Sequence, residues 1–461
     1  MCCTNLVSYP MKSNKISILA LSVLLFSALS CQDNNLSTKQ NPFDQTSETD
    51  PLVRNKIVVI SDLHLGSDTS YSENVRHLPR LAQFLGEIRE SETVKELVIA
   101  GDMLDEWYVP SRNDTYKGET QEAFIRRIAS KNKIVIDVLN GIITDGKVKV
   151  SYTPGNHDLL VTEEYVAAIL PGIHQARDAG KLGIGTYHPD GYPQIAIEHG
   201  HRFDFFCSPD PYSNQDIAPG SILPPGYFFT RIAVNSVTNY PSANEITPVR
   251  PVTLNSTDQT QVNAYIYYNI WKYVLTSYIP VKDNFDEKII VTNIGHFSDT
   301  LRVNDIIPYN TENGAIDMKL FSGVCSQLAW ERRLAYNNVP VKTLAKDAIP
   351  GSLQTSFIDE QSNTQFFQND SSNVRIVVFG HTHNPMIKSY TNKRAEPCLY
   401  ANSGTWIDKK IKNGETVDQD LQNMDFLVMM PQSADEHMLK VERFKYEKGK
   451  HISLESKSIK L

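Results

Sequence analysis

The feature that most constrains this chain is a repeated junction, in which a short apolar run stops at a cluster of Asp, Asn and His. Lys56–Ser61 (KIVVIS) leads into Ser61-Asp62-Leu63-His64, and Glu96–Ala100 (ELVIA) into Gly101-Asp102-Met103-Leu104-Asp105. Val148–Thr153 precedes Gly155-Asn156-His157-Asp158. Ile195–Glu198 leads into His199-Gly200-His201, and Val374–Phe379 into Gly380-His381-Thr382-His383. Apolar runs of this length with polar borders read as buried strands. Between the first ones lie helical patterns: Leu78, Leu81, Leu85 and Ile88 on one face of Arg76–Glu90, then a long helix over Gln121–Ile143. Strands alternating with helices predict an α/β fold, and such sheets bind ligands beyond the carboxyl ends of their strands. Each cluster alone is an ordinary turn, since Asp, Asn and Gly favour turns. Five in order predict a site. Extended backbone sends residues i and i+2 to the same side, so Asp62 with His64, and His381 with His383, are expected to converge as pairs.

The ordered set D-x-H, G-D-x-x-D, G-N-H-D, His and G-H-x-H resembles the calcineurin-like metallophosphoesterase superfamily. The resemblance covers residues 56–205 and 374–406, and Asn402-Ser403-Gly404-Thr405-Trp406 also resembles a segment that follows G-H-x-H in many members. It implies a sandwich of two mixed β-sheets flanked by helices. It also implies two divalent cations (Mn, Fe or Zn, which suit a mixed carboxylate, imidazole and amide set). Carried over by motif, one cation takes Asp62, His64, Asp102 and His383. The other takes Asp102, Asn156, His199 and His381, with Asp102 shared. His157 corresponds to a phosphate-contacting His, with Asp158 expected to orient its ring. Asp105 is expected to brace Asp102 or orient a ligand. His201 is assigned outside the ligand set, supporting it or meeting substrate. The implied chemistry is attack on phosphorus by metal-bound hydroxide, with no protein nucleophile. Ser61–Gly66 and Gly101–Trp107 look nearest to the UDP-2,3-diacylglucosamine hydrolase branch. That branch often carries Arg at the position of His157, and its insertion is much shorter than the one here.

The N-terminus reads as a targeting signal. Lys12 and Lys15 precede the apolar run Ile16–Ser30, which ends at Ala28-Leu29-Ser30-Cys31. This resembles a bacterial lipobox, which implies lipidation at Cys31, membrane anchoring, and a place in the cell envelope on the periplasmic or surface face of the outer membrane. The expected organisation is a signal peptide over 1–30, a polar flexible tether over 31–52, a core over 53–205 and 372–461, and a large, mainly helical inserted cap over 206–371. Within the cap, residues 262–279 carry Val262, Ile266, Ile270 and Val274 at helical spacing, alongside Tyr265, Tyr267, Tyr268, Trp271, Tyr273 and Tyr278. The aromatics are expected to pack the cap onto the core, with lining of a pocket as the alternative. Arg332 and Arg333 read as phosphate contacts or solvent-facing residues. Cys207, Cys325 and Cys398 allow one disulfide at most.

Composition then narrows the function. Lys plus Arg number 45 against 53 Asp plus Glu, for a formal net charge of −8, and no basic run is present. This argues against nucleic acid as a partner. The reading is a metal-dependent hydrolase of a phosphate ester or pyrophosphate bond, acting on a phosphorylated small-molecule or lipid-linked substrate. The alternatives are a metal-dependent nuclease and a non-catalytic scaffold on the same fold.

Overall fold

The computed structural model describes residues 41–44, 53–238, 243, 245–412, 415–419, 423–432 and 437–461. Cys31, the apolar run before it and most of the expected tether lie outside the described residues. The first half alternates strands and helices: β1 (Lys56–Ile60), α1 (Leu78–Glu90), β2 (Val94–Ala100), α2 (Gln121–Lys131), α3 (Lys133–Asp145), β3 (Lys149–Thr153), α4 (Glu163–Ile169), β4 (His174–Gln175) and β5 (Ile195–Ile197). The stretch 206–371 holds α5 (Pro225–Asn235), α6 (Gln259–Tyr273), α7 (Gln327–Tyr336), α8 (Ala345–Gly351) and α9 (Thr355–Asp359). It also holds two small ribbons, β6 (Lys288–Val291) with β7 (Thr300–Arg302) and β8 (Tyr309–Asn310) with β9 (Ile316–Asp317). The chain then closes through β10 (Ile376–Phe379), β11 (Met386–Thr391), β12 (Pro397–Asn402), the hairpin β13 (Lys409–Lys412) and β14 (Glu415–Asp418), β15 (Asp425–Pro431), β16 (Met438–Glu447) and β17 (Lys450–Lys460).

Two mixed sheets form the centre. One runs β17-β16-β15-β1-β2-β3-β4, and the other β11-β12-β10-β5. β1, β2 and β3 are parallel, while β15 joins β1 antiparallel. Strand alternation divides the apolar side chains between two layers. Ile57 and Val59 of β1, Leu427 and Met429 of β15, Ile195 and Ile197 of β5, and Ile376 and Val378 of β10 fill the space between the sheets. Val58 and Ile60 point the other way, toward Leu81, Phe84, Leu85 and Ile88 of α1. With both faces covered, β1 is buried along its whole length, which is why its sequence is continuously apolar rather than alternating.

The helix expected over 121–143 is two helices, because Asn132 interrupts it. Its side-chain amide donates to the Ile128 carbonyl (2.8 Å) and to Gly66 O (2.9 Å), competing with the helix's own hydrogen bonds. α6 ends in a wider turn over Val274–Tyr278, and of the aliphatic stripe only Ile270 and Val274 are on the buried face. Ala264, Tyr267, Tyr268, Ile270 and Trp271 are buried, while Val262 and Ile266 are only half-buried. The larger rings bury more area and set the helix's rotation. Residues 41–44, expected within the tether, form a turn whose Phe43 ring is fully buried against Phe84, Phe426 and His451.

The inserted stretch shares one apolar cluster with the helix-facing side of the larger sheet. Arg231 of α5 is buried and donates to the carbonyls of Val109 (2.7 Å), Pro110 (3.1 Å) and Asn113 (2.6 Å), fastening α5 to the loop that follows β2. Arg333 of α7 is buried as well, donating to the carbonyls of Phe205 and Ser208, so it faces neither phosphate nor solvent. Arg332 lies over the Tyr212 ring at 4.2 Å. Cys207, Cys325 and Cys398 are free thiols. No helix among the described residues is long and apolar enough to cross a membrane.

Candidate metal centre

The loops after β1, β2, β3, β5 and β10 meet at one edge of the two sheets. The first two are zipped together by backbone: Asp62 N donates to Gly101 O, His64 N to Asp102 O, Leu65 N to Met103 O, and Asp105 N to Leu65 O. The extended i, i+2 geometry expected for the His/Asp pairs is not what forms. Asp62, His64, Asp102, His381 and His383 all have positive φ, between 46° and 64°. Few non-glycine residues adopt this conformation, and when they cluster they mark a site whose surroundings hold them there. The strands have ended, and the left-handed turns bring the side chains of Asp62, His64, Asp102 and His383 to a common centre.

There the side chains converge. His383 Nε2 is 3.0 Å from Asp62 Oδ1 and 3.3 Å from His64 Nε2. His199 Nε2 is 3.1 Å from both Asp102 Oδ2 and Asn156 Oδ1. Asp62, His64 and His383 form one group able to hold a cation, and Asp62, Asp102 and His199 a second. Asp62, rather than the Asp102 expected to be shared, is the member common to both groups, while Asp102 Oδ2 lies 3.1 Å from His199 Nε2 and 3.7 Å from His64 Nε2. His381 stands beside these groups. Its backbone N–H donates to the Asp62 carboxylate (3.1 Å) and its ring lies 5.1 Å from that of His199, but its Nε2 meets Asp204 Oδ2 at 3.1 Å.

The imidazoles are oriented from behind. His64 Nδ1 faces Asp105 Oδ2 (3.1 Å), and His199 Nδ1 faces the Ala100 carbonyl (2.9 Å). Both partners are acceptors, so each Nδ1 carries the proton and donates it. The opposite nitrogen then presents a lone pair inward, the arrangement seen in metal-ligating histidines. Two imidazole nitrogens 3.3 Å apart, those of His64 and His383, amid three buried carboxylates make a donor set that a cation satisfies. Burial works against charge on His199, yet Asp102 and Asp62 beside it carry it up to about 9. Burial is the dominant influence on His383, taking it down to about 4.

Asp158 departs from the role expected of it. It is fully buried and accepts from the backbone N–H groups of Gly155 (2.6 Å), Met103 (2.9 Å) and Leu104 (3.2 Å). It therefore clamps the loop after β3 to the loop after β2. The ring of His157 is oriented by Asp105 instead, with Nδ1 2.8 Å from Oδ1, and packs on Trp107 with centroids 5.2 Å apart. Asp105 also accepts from Trp107 N and Tyr108 N. Burial alone would raise the Asp105 carboxyl, but His157 and His64 hold it well below the usual carboxylate range. His201 lies outside both cation groups. Its Nε2 donates to the Gly183 carbonyl (2.9 Å), and burial keeps the ring neutral, far below the usual histidine range.

Two nearby carboxylates lay outside the expected set. Glu73 is buried with an oxygen 3.7 Å from His64 Nδ1. Asp204 stands beside His381 and Cys207. Both sit in loops with no motif, where only their acidic character was visible. A cavity of about 370 Å³ lies elsewhere, in the inserted stretch, lined by Gln261, Asn313 and Asp317 among others.

Residues 55–235 match the family model for calcineurin-like phosphoesterase. No curated protein matches the sequence. Among solved structures, the chain is similar to the NAD nucleotidase of Haemophilus influenzae at 10% identity and a TM-score of 0.26, over 88% of this chain and 56% of that one. It is also similar to the 5'-nucleotidase precursor of Thermus thermophilus at 10% identity and a TM-score of 0.25, over 88% of this chain and 54% of that one. The chain thus spans little more than half the length of these two proteins.

Proposed function

We propose that this chain, which carries a calcineurin-like phosphoesterase domain, is a two-cation hydrolase of phosphate ester or pyrophosphate bonds. The observation that carries the proposal is the convergence of inward-facing imidazole nitrogens on shared carboxylates at one sheet edge, with the outward nitrogens of His64 and His199 tied to acceptors. Asp62, His64, Asp102 and His383 would hold one cation, and Asp102, Asn156, His199 and His381 the other. Bound there, the pair would supply Lewis acidity, drawing charge from phosphate oxygens and acidifying the attacking water. The chain's own groups do the rest. Asp105 receives the Nδ1 proton of His157 and leaves Nε2 directed away from it. Burial works against charge on His157, but Asp105 and Asp102 together raise it above the usual range. With Nδ1 held by Asp105, Nε2 is the ring atom of His157 that would meet a phosphate oxygen or leaving oxygen. Trp107 holds the ring from one side.

The substrate proposed is a phosphorylated small molecule or lipid-linked phosphate at the cell envelope. The signal-like segment ending at Cys31 supports the location, and the net charge of −8 weighs against nucleic acid. The test strips the chain with chelator, restores Mn²⁺, and compares rates on p-nitrophenyl phosphate, bis-p-nitrophenyl phosphate and a UDP-sugar, with Asp102→Asn as control. A restored rate absent from the control is expected. No cation binding and no turnover on any of the three would overturn the proposal.

A further inference from the structure

The ring of His381, a proposed ligand, is held by a carboxylate outside the five motifs. Its partner, Asp204, follows the tight turn His201–Phe203 just after β5. Asp204 is 6% exposed, and its Oδ2 lies 3.1 Å from His381 Nε2. The carboxylate is itself fixed, since Oδ1 accepts the Phe206 backbone N–H at 2.7 Å and Asp204 N donates to the His201 carbonyl at 3.0 Å. An ionised carboxylate only accepts, so His381 Nε2 carries the proton and donates it. The lone pair is therefore on Nδ1, the ring nitrogen nearer the backbone, and that backbone is anchored by its own N–H to Asp62.

The segment bearing Asp204 is clamped by the inserted stretch. Phe205 N donates to Ser352 Oγ (2.9 Å), at the end of α8. Arg333 of α7 donates to the carbonyls of Phe205 (2.9 Å) and Ser208 (2.8 Å), and Ser208 N returns to Asp204 O at 2.8 Å. The insertion therefore reaches the metal centre through a chain of hydrogen bonds ending on one imidazole.

We propose that Asp204 is a positioning residue for the second cation. It fixes the tautomer and orientation of His381 and makes that cation's affinity depend on the inserted stretch. The proposal rests on the two-cation reading above. A carboxylate behind a ligating histidine raises the ring's basicity, and its loss typically weakens metal binding about 10–100-fold. The competing geometry is direct: Asp204, Cys207 and His381 stand close enough to hold an ion among themselves.

The experiment measures Mn²⁺ binding by the apo full chain, by calorimetry with elemental analysis of the dialysed protein, for wild type, Asp204→Ala, Asp204→Asn and Cys207→Ser. Thermal unfolding in EDTA confirms that each is folded. Wild type and Cys207→Ser are expected to bind two equivalents with the same affinities. Asp204→Ala should keep one tight equivalent and bind the other about 10–100-fold more weakly. Asp204→Asn, whose amide oxygen still accepts the Nε2 proton without charge, should fall between them and decides the matter if the alanine variant does not fold. Two equivalents at wild-type affinity in the Asp204 variants overturn the proposal while leaving the two-cation reading intact. A third equivalent in wild type, lost in both Cys207→Ser and Asp204→Ala, overturns it in favour of direct ligation. Absence of any binding in wild type removes the two-cation reading itself, and this proposal with it.

Discussion

Replacing Asp158 by Ala separates two roles that the G-N-H-D motif runs together. If Asp158 oriented His157, its loss would fall on turnover. The structure instead shows three buried backbone N–H groups, those of Gly155, Met103 and Leu104, ending on its two oxygens. Each buried donor left without an acceptor costs about 1–3 kcal/mol, and water entering the vacated space pulls the sum of three toward the low end, ~3–5 kcal/mol. At about 2 °C per kcal/mol for a unit of this size, the melting temperature should fall by ~6–10 °C. The assay is calorimetric unfolding in EDTA, because bound cations would stabilise the folded form by mass action and blur the comparison. His157 keeps its bond to Asp105 in this variant, so kcat at saturating Mn²⁺, measured below the transition, should fall less than ~10-fold. Asp105→Asn should do the opposite: a modest loss of stability and a ~10–100-fold loss of kcat, because His64 and His157 both lose their charged acceptor. An Asp158→Ala protein with an unchanged melting temperature and a hundredfold lower kcat would refute the reasoning.

Two further outcomes follow from the same loops. Burial pushes the Glu106 carboxyl from its ordinary 4.5 up to about 7, so between those values the folded chain keeps a proton that the unfolded chain has lost. The share of stability due to Glu106 should therefore decline as pH rises through that window and level off above it, by ~3 kcal/mol at most, so the difference between wild type and Glu106→Gln should change across it; parallel urea-unfolding free energies for the two proteins from about pH 4.5 to about pH 7.5 would count against it. A methyl group at Gly155 would overlap the Asp102 carboxylate and backbone nitrogen. Gly155→Ala should thus displace the shared ligand and lose both cations on dialysis, and retention of two equivalents by elemental analysis would show that the loops yield.

The β1, β2 and β10 runs were legible because strands covered on both faces carry consecutive apolar residues, and nothing nonlocal is needed to see that. Their terminal Asp, Asn and His clusters were legible for a similar reason, since a ligand must be a particular side chain at a particular junction. β17 was not picked out: Lys450–Lys460 is an edge strand whose few apolar residues, Ile452, Leu454 and Ile459, keep no regular alternation, and it pairs along its length with β16. The break at Asn132 was hidden because its cause is the Gly66 carbonyl, 66 residues away. At the site, the motifs marked side chains that converge but not their supports. Asp158 adjoins His157 in its motif while Asp105 belongs to another, and only the fold decides that the first meets backbone and the second meets the ring. Asp204 and Glu73 carry no motif at all, because a supporting carboxylate can come from any loop that passes at hydrogen-bond distance. Local spacing thus marks which groups gather at the strand ends. Distances across the chain, set by how strands pair and loops cross, determine which way those groups face and which proton each one keeps.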